Sequence, residues 1–176
     1  SIRNSGAGAL AAALPRCTAL RHVELGNNNI GDSGAEALAS ALPLCTVLSR
    51  LDLRGTGQGL RIGDQGVAAL ASVLPACSSL RHLDVSYNSI GSAGAKQLAQ
   101  VLPLCGHLEH LDLSYNRISD EGADLLARAL EASPISVDLD LSRNMLGVEG
   151  LERLGSARCQ SLFFSALDLA GCKMPW

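Results

Sequence analysis

The pattern LxxLxLxxN returns along this chain at a nearly constant interval, and that interval constrains the fold more than any other feature. One copy reads Leu20-Arg21-His22-Val23-Glu24-Leu25-Gly26-Asn27-Asn28, and further copies begin at Leu48, Leu80 and Leu108. A fifth keeps Leu139, Leu141 and Asn144; a sixth keeps Leu167, Leu169 and Cys172. The Asn-type positions fall at 28, 56, 88, 116, 144 and 172, in steps of 28, 32, 28, 28 and 28. Only Thr56 departs from Asn or Cys there.

The second half of each unit repeats as well. An Ile, Leu or Met follows the Asn-type position, then a polar pair, a Gly and a run rich in Ala and Leu. Gly6 to Leu14, Gly34 to Leu42, Gly66 to Leu74, Gly94 to Leu102 and Gly122 to Leu130 are such runs. Their apolar residues at i, i+1, i+4, i+5 and i+8 make one face of a helix. Asp32, Ser92 and Asp120 stand where a side chain would cap the helix they precede. Pro15, Pro43, Pro75 and Pro103 stop the helices, because Pro supplies no N–H to the ladder. Each unit is therefore strand, turn, helix, turn. A single unit cannot bury its own apolar face, but a stack can, with parallel strands inside and helices outside. Strands pack about 4.8 Å apart and helices about 10 Å, so the stack must bend into a horseshoe.

These residues resemble the ribonuclease-inhibitor-like class of leucine-rich repeats, whose marker is a period near 28 with LxxLxLxxNxI followed by a Gly-Ala-x-x-Leu-Ala-x-x-Leu helix. Related arrays occur in Ran GTPase-activating proteins and NOD-like receptors. The resemblance implies an α/β solenoid with a parallel sheet on the concave face and helices on the convex face. It also implies that a protein partner binds in the hollow. One domain over 1–176 is expected, with about six repeats, a start inside a repeat and an irregular closure from about 147. Phe163, Phe164 and Trp176 are available to cover the last layer there.

In such a strand the leucines point inward and the residues between them face the hollow. Glu24, Asp52, Asp84, Asp112, Asp140 and Asp168 form an acidic row. His22, Arg50, His82, His110, Asp138 and Ala166 stand two residues earlier, and Gly26, Arg54, Ser86, Ser114, Ser142 and Ala170 two later. Tyr87, Tyr115 and Arg143 lie just beyond. Charged rows fix register and tyrosines anchor, so the expected protein-binding residues are His22, Glu24, Arg50, Asp52, Arg54, His82, Asp84, Tyr87, His110, Asp112, Tyr115, Asp140 and Arg143. The segment from Arg54 to Gln65 is four residues longer than its counterparts, and Gln58 and Arg61 would join Arg54 on that rim. The imidazoles are expected to pair with neighbouring carboxylates, which would favour their protonated form.

No catalytic residue, cofactor or metal is expected. A flat strand face does not converge on zinc, there is no CxxC pair, and neither GxSxG nor a phosphate loop with its Lys occurs. Cys17, Cys45, Cys77 and Cys105 step with the repeat and read as small buried residues in the turn from helix to strand. These thiols fit a cytoplasmic or other reducing compartment, or an organelle if a targeting segment was removed. A net charge of -3 offers no pull on a phosphate backbone, so nucleic acid is not an expected partner. No apolar run approaches the ~20 residues that span a bilayer. The reading is a non-enzymatic interaction module that binds through its concave face and rim loop. The alternatives are a structural subunit of a larger assembly, held by its ends and convex side, and a GTPase-activating-protein-like regulator.

Overall fold

The computed structural model describes residues 1–134 and 136–156. The sixth strand copy, Phe163, Phe164, Cys159, Cys172 and Trp176 lie outside the described residues, and the closure expected from about 147 is described only as far as 156. In chain order the elements are α1 (Arg3–Ala13), β1 (His22–Glu24), α2 (Asp32–Ala41), β2 (Arg50–Asp52), α3 (Asp64–Val73), β3 (His82–Asp84), α4 (Ser92–Val101), β4 (His110–Asp112), α5 (Asp120–Ala132), β5 (Asp138–Asp140) and α6 (Val148–Ser156). The strands form one parallel sheet in the order β1-β2-β3-β4-β5, and each helix packs on the next. The register pairs Glu24, Asp52, Asp84, Asp112 and Asp140 in one row and His22, Arg50, His82, His110 and Asp138 in another. The strand centres Val23, Leu51, Leu83, Leu111 and Leu139 are buried in one core with leucines of the described repeats.

The first four helices tighten into a single 3₁₀ turn that carries Pro15, Pro43, Pro75 or Pro103. Glu131 stands where the fifth Pro would fall, and α5 accordingly runs on to Ala132. The repeated Asn is a hydrogen-bond hub at the edge of the core. Asn116 donates to Val85, Leu113 and Ser114 carbonyls at 3.0, 3.0 and 3.2 Å, and its Oδ1 accepts the N–H of Ile90 at 2.9 Å. It thereby ties its own strand to the preceding repeat, as Asn88 and Asn144 do.

The capping residues act differently from the expectation. No side chain caps its own helix at α2, α4 or α5. Instead the Asp32 carboxylate accepts the N–H groups of Gly63 and Gly66 at 2.6 and 2.9 Å, which caps α3 of the following repeat. Asp64 does the same for Gly91 and Gly94 of α4, at 2.7 and 2.9 Å. Asp120 accepts from Gly147, and Ser92 contacts Ser119. The Gly of each helix start follows from this, because a Cβ on Gly66 would lie 2.6 Å from Asp32 Oδ1 and one on Gly94 would lie 2.7 Å from Asp64 Oδ1. The D-x-G signature thus joins two repeats.

The cysteine column is buried only in its later half. Cys77 and Cys105 are buried, Cys45 is half-buried and Cys17 is exposed, and all four are free thiols. Cys17 ends the first 3₁₀ turn, whose side is not covered by an earlier described repeat.

Candidate functional site

The carboxylates of the concave row serve the fold before any other purpose. Oδ1 of Asp52, Asp84, Asp112 and Asp140 accepts the backbone N–H two residues on, from Arg54, Ser86, Ser114 and Ser142, at 2.9, 2.9, 2.9 and 2.8 Å. That bond holds the turn at the end of each strand, which gives Asp a reason to recur there. Ser86 and Ser114 are buried beside these carboxylates and not displayed on the surface, contrary to the expectation for that row. The other carboxylate oxygen serves the hollow. Arg54 reaches Oδ2 of Asp52 at 3.7 Å and Oδ2 of Asp84 at 3.5 Å, bridging two strands.

Asp112 has no such cation among the described residues. Burial, with the like charges of Asp84 and Asp140, outweighs its bonds to Ser114 and raises its carboxyl above the ordinary value. His82 and His110 stack with ring centroids 4.4 Å apart, and His110 Nδ1 lies 3.0 Å from Asp138 Oδ2. The expectation that the imidazoles favour their charged form fails at His82. Burial first, then His110 and Arg50, lower its pKa below the usual histidine value. These side chains line a shallow hollow of about 480 Å³, from Arg50 at one end to Asp138 and Asp140 at the other.

Beyond the strands, Tyr87 and Tyr115 stack face to face at 3.9 Å and 11°, and the Arg143 guanidinium lies 5.8 Å from the Tyr115 ring centre. All three hold φ between 53° and 59°, as Asn27 does at 61° in the equivalent place. Asn tolerates that left-handed conformation, whereas a bulky side chain loses about 1 kcal/mol in it. The turn is therefore satisfied by Asn, and the tyrosines add exposed aromatic surface at a local cost. The corresponding place in the second repeat is Gly55, which does not hold positive φ; glycine is required there because a Cβ would collide with the Tyr87 carbonyl.

A family profile described as Leucine Rich repeat matches residues 16–39, 76–99 and 105–127. The chain is made of leucine-rich repeats. They belong to the ribonuclease-inhibitor-like class, and the α/β arc with its parallel inner sheet is the expected fold. Among solved structures, the chain is similar to that of "Leiomodin-1 Actin-Binding Site 2 (ABS2)", with 16% identity, a TM-score of 0.66, and coverage of 82% of this chain and 83% of that one. It is also similar to the tropomodulin C-terminal domain of Caenorhabditis elegans, with 15% identity, a TM-score of 0.63, and coverage of 86% and 90%. At these identities the likeness is one of fold. No curated protein sequence matches.

The leucine-rich repeat array brings Arg50, Asp52, Arg54, His82, Asp84, His110, Asp112 and Asp140 together on the inner face, with exposed His22 and Glu24 on its first strand. It does not bring the insertion's donors to the same face as free groups. Arg61 bonds back to the Gly57 carbonyl at 2.5 Å, and Thr56 bonds to the Gln58 carbonyl and to Asn29 of the first repeat. The extra residues thus brace the first two repeats, leaving Gln58 exposed. Asp138, absent from the expected set, belongs to the hollow through His110. The spacing places it in the row two residues before the carboxylates, and its pairing with His110 is what adds it to the site. Among the described residues no group of His, Cys, Asp or Glu has metal-holding geometry, and no helix is long and apolar enough to cross a membrane.

Proposed function

We propose that the chain is a non-enzymatic protein-binding module whose partner sits in the concave face. The observation that carries this reading is the Tyr87–Tyr115 stack. Two exposed rings occupy left-handed positions where Asn27 shows that the turn itself needs no ring. Backbone strain of that kind gathers where a surface has work to do. The stack stands beside the charged hollow, so anchors and register-setting charges lie on one rigid scaffold. The proposed contact residues are His22, Glu24, Arg50, Asp52, Arg54, His82, Asp84, Tyr87, His110, Asp112, Tyr115, Asp140 and Arg143, with exposed Gln58 at the rim; Arg61, bonded back to Gly57, drops out of the set. The leiomodin-1 structure, of similar fold, is named for an actin-binding site, which supports a protein as the class of partner.

Crosslinking mass spectrometry in native extract tests this reading. Carboxylate-reactive links from Asp84 and Asp112 to one partner are expected. Links only from Lys96 and other groups on the helices would overturn it and leave a subunit held by its convex side.

A further inference from the structure

Two arginines of the chain show how this face holds a guanidinium. Arg54 lies across the carboxylates of Asp52 and Asp84, and Arg143 stands over the Tyr115 ring. The carboxylate row continues past Arg54 to Asp112 and Asp140 with no second arginine, among the described residues, bridging two of its members. Among the described residues, neither Asp112 nor Asp140 forms an ion pair with a Lys or Arg, as Asp52 and Asp84 do with Arg54, and Asp112 sits between two like charges. The hollow is also polarised along the sheet. Arg50 and Arg54 flank Asp52 at β2, whereas β5 presents Asp138 and Asp140.

A carboxylate row alone would accept any cation, and a tyrosine stack alone would accept a proline or another ring. A guanidinium is the group that suits both: planar for the ring, forked for two carboxylates and weakly hydrated enough to enter a part-buried site. We propose that the hollow docks an arginine-bearing polypeptide segment, with one guanidinium seated between Asp112 and Asp140 and the segment running along the Tyr87–Tyr115 row. This rests on the reading of the concave face as a protein-binding surface. The arginines at β2 set the orientation, because they repel the basic part of the segment towards β4 and β5. The site is the Arg54 arrangement repeated two strands along, with the guanidinium supplied by the partner.

The test is fluorescence anisotropy of the full chain with a fluorescein-labelled hexa-arginine peptide, alongside hexa-lysine and hexa-glutamate peptides. Hexa-arginine is expected to bind more tightly than hexa-lysine, and hexa-glutamate not at all. The double variant Asp112→Asn, Asp140→Asn should weaken hexa-arginine binding by about tenfold, and Tyr115→Leu should remove the preference for arginine over lysine. Glu36→Gln with Glu131→Gln removes the same charge from exposed helix positions and should leave binding unchanged. Equal weakening by the two double variants would overturn the proposal, since it would mean general attraction to an acidic chain. So would equal affinity for the arginine and lysine peptides. A native partner linked through Asp84 or Asp112 by a segment without arginine would also overturn it, while leaving the protein-binding reading standing.

Discussion

Asp112 is the residue at which fold and surface pull in opposite directions. Its Oδ1 holds the Ser114 turn, yet burial and two neighbouring carboxylates disfavour its charge. It therefore holds its proton more tightly folded than unfolded, and its contribution to stability falls as pH rises above the unfolded value of 3.8. Asp112→Asn keeps an acceptor for Ser114 and should leave the chain at pH 7 as stable, or up to about 1 kcal/mol more stable, by urea unfolding. A clear loss of stability would show that the charge is needed by the fold. His82 works in the other direction. Its charged form is disfavoured in the folded chain, so stability should drop as pH falls through the ordinary value of 6.5. His82→Gln should flatten the stability profile between about pH 5 and 7; an unchanged slope would contradict that origin. The row of His and Asp was legible from spacing alone. The direction at His82 was not, because it depends first on burial in the hollow and then on the imidazole stacked on one strand and the arginine on the other. The left-handed tyrosines were equally hidden, since backbone sign leaves no mark in a side-chain pattern.

At the scale of elements, strands and helices were legible because the inward leucines fall on a fixed spacing, and the ends of the first four helices because Pro follows each; that each Pro sits inside a 3₁₀ turn was not legible. What the periodicity concealed was the bond that passes from one repeat to the next. Asp64 stands at the start of α3 but caps α4, through Gly91 and Gly94. Asp64→Ala should cost about 1–2 kcal/mol. It should speed amide exchange at the first turn of α4 and leave the first turn of α3 unaltered; the reverse pattern would restore the ordinary cap. The column of thiols at the ends of the 3₁₀ turns gives a second check. Burial pushes Cys77 and Cys105 up to about 11, whereas Cys17 is exposed. At pH 8 such thiols hold about a hundredth of the thiolate of an ordinary cysteine. Iodoacetamide should label Cys17 in the folded chain and reach Cys77 and Cys105 only on unfolding, as read by peptide mapping.

For the whole molecule, stacking converts short-range bonds into a continuous rigid sheet, and that sheet sets His110, Asp112 and Tyr115 in fixed register with their counterparts. The central claim is that this inner face, and not the outer turns, meets the partner. Leu44 and Leu104 offer the natural contrast, since they stand 62% and 66% exposed in the 3₁₀ turns that follow the helices. Hydroxyl-radical footprinting, comparing the isolated chain with the chain in native extract, distinguishes the two surfaces in one measurement. Tyr87, Tyr115 and His110 are expected to become protected in the extract while Leu44 and Leu104 react as before. Protection of Leu44 and Leu104 with Tyr87, Tyr115 and His110 unchanged would contradict the claim.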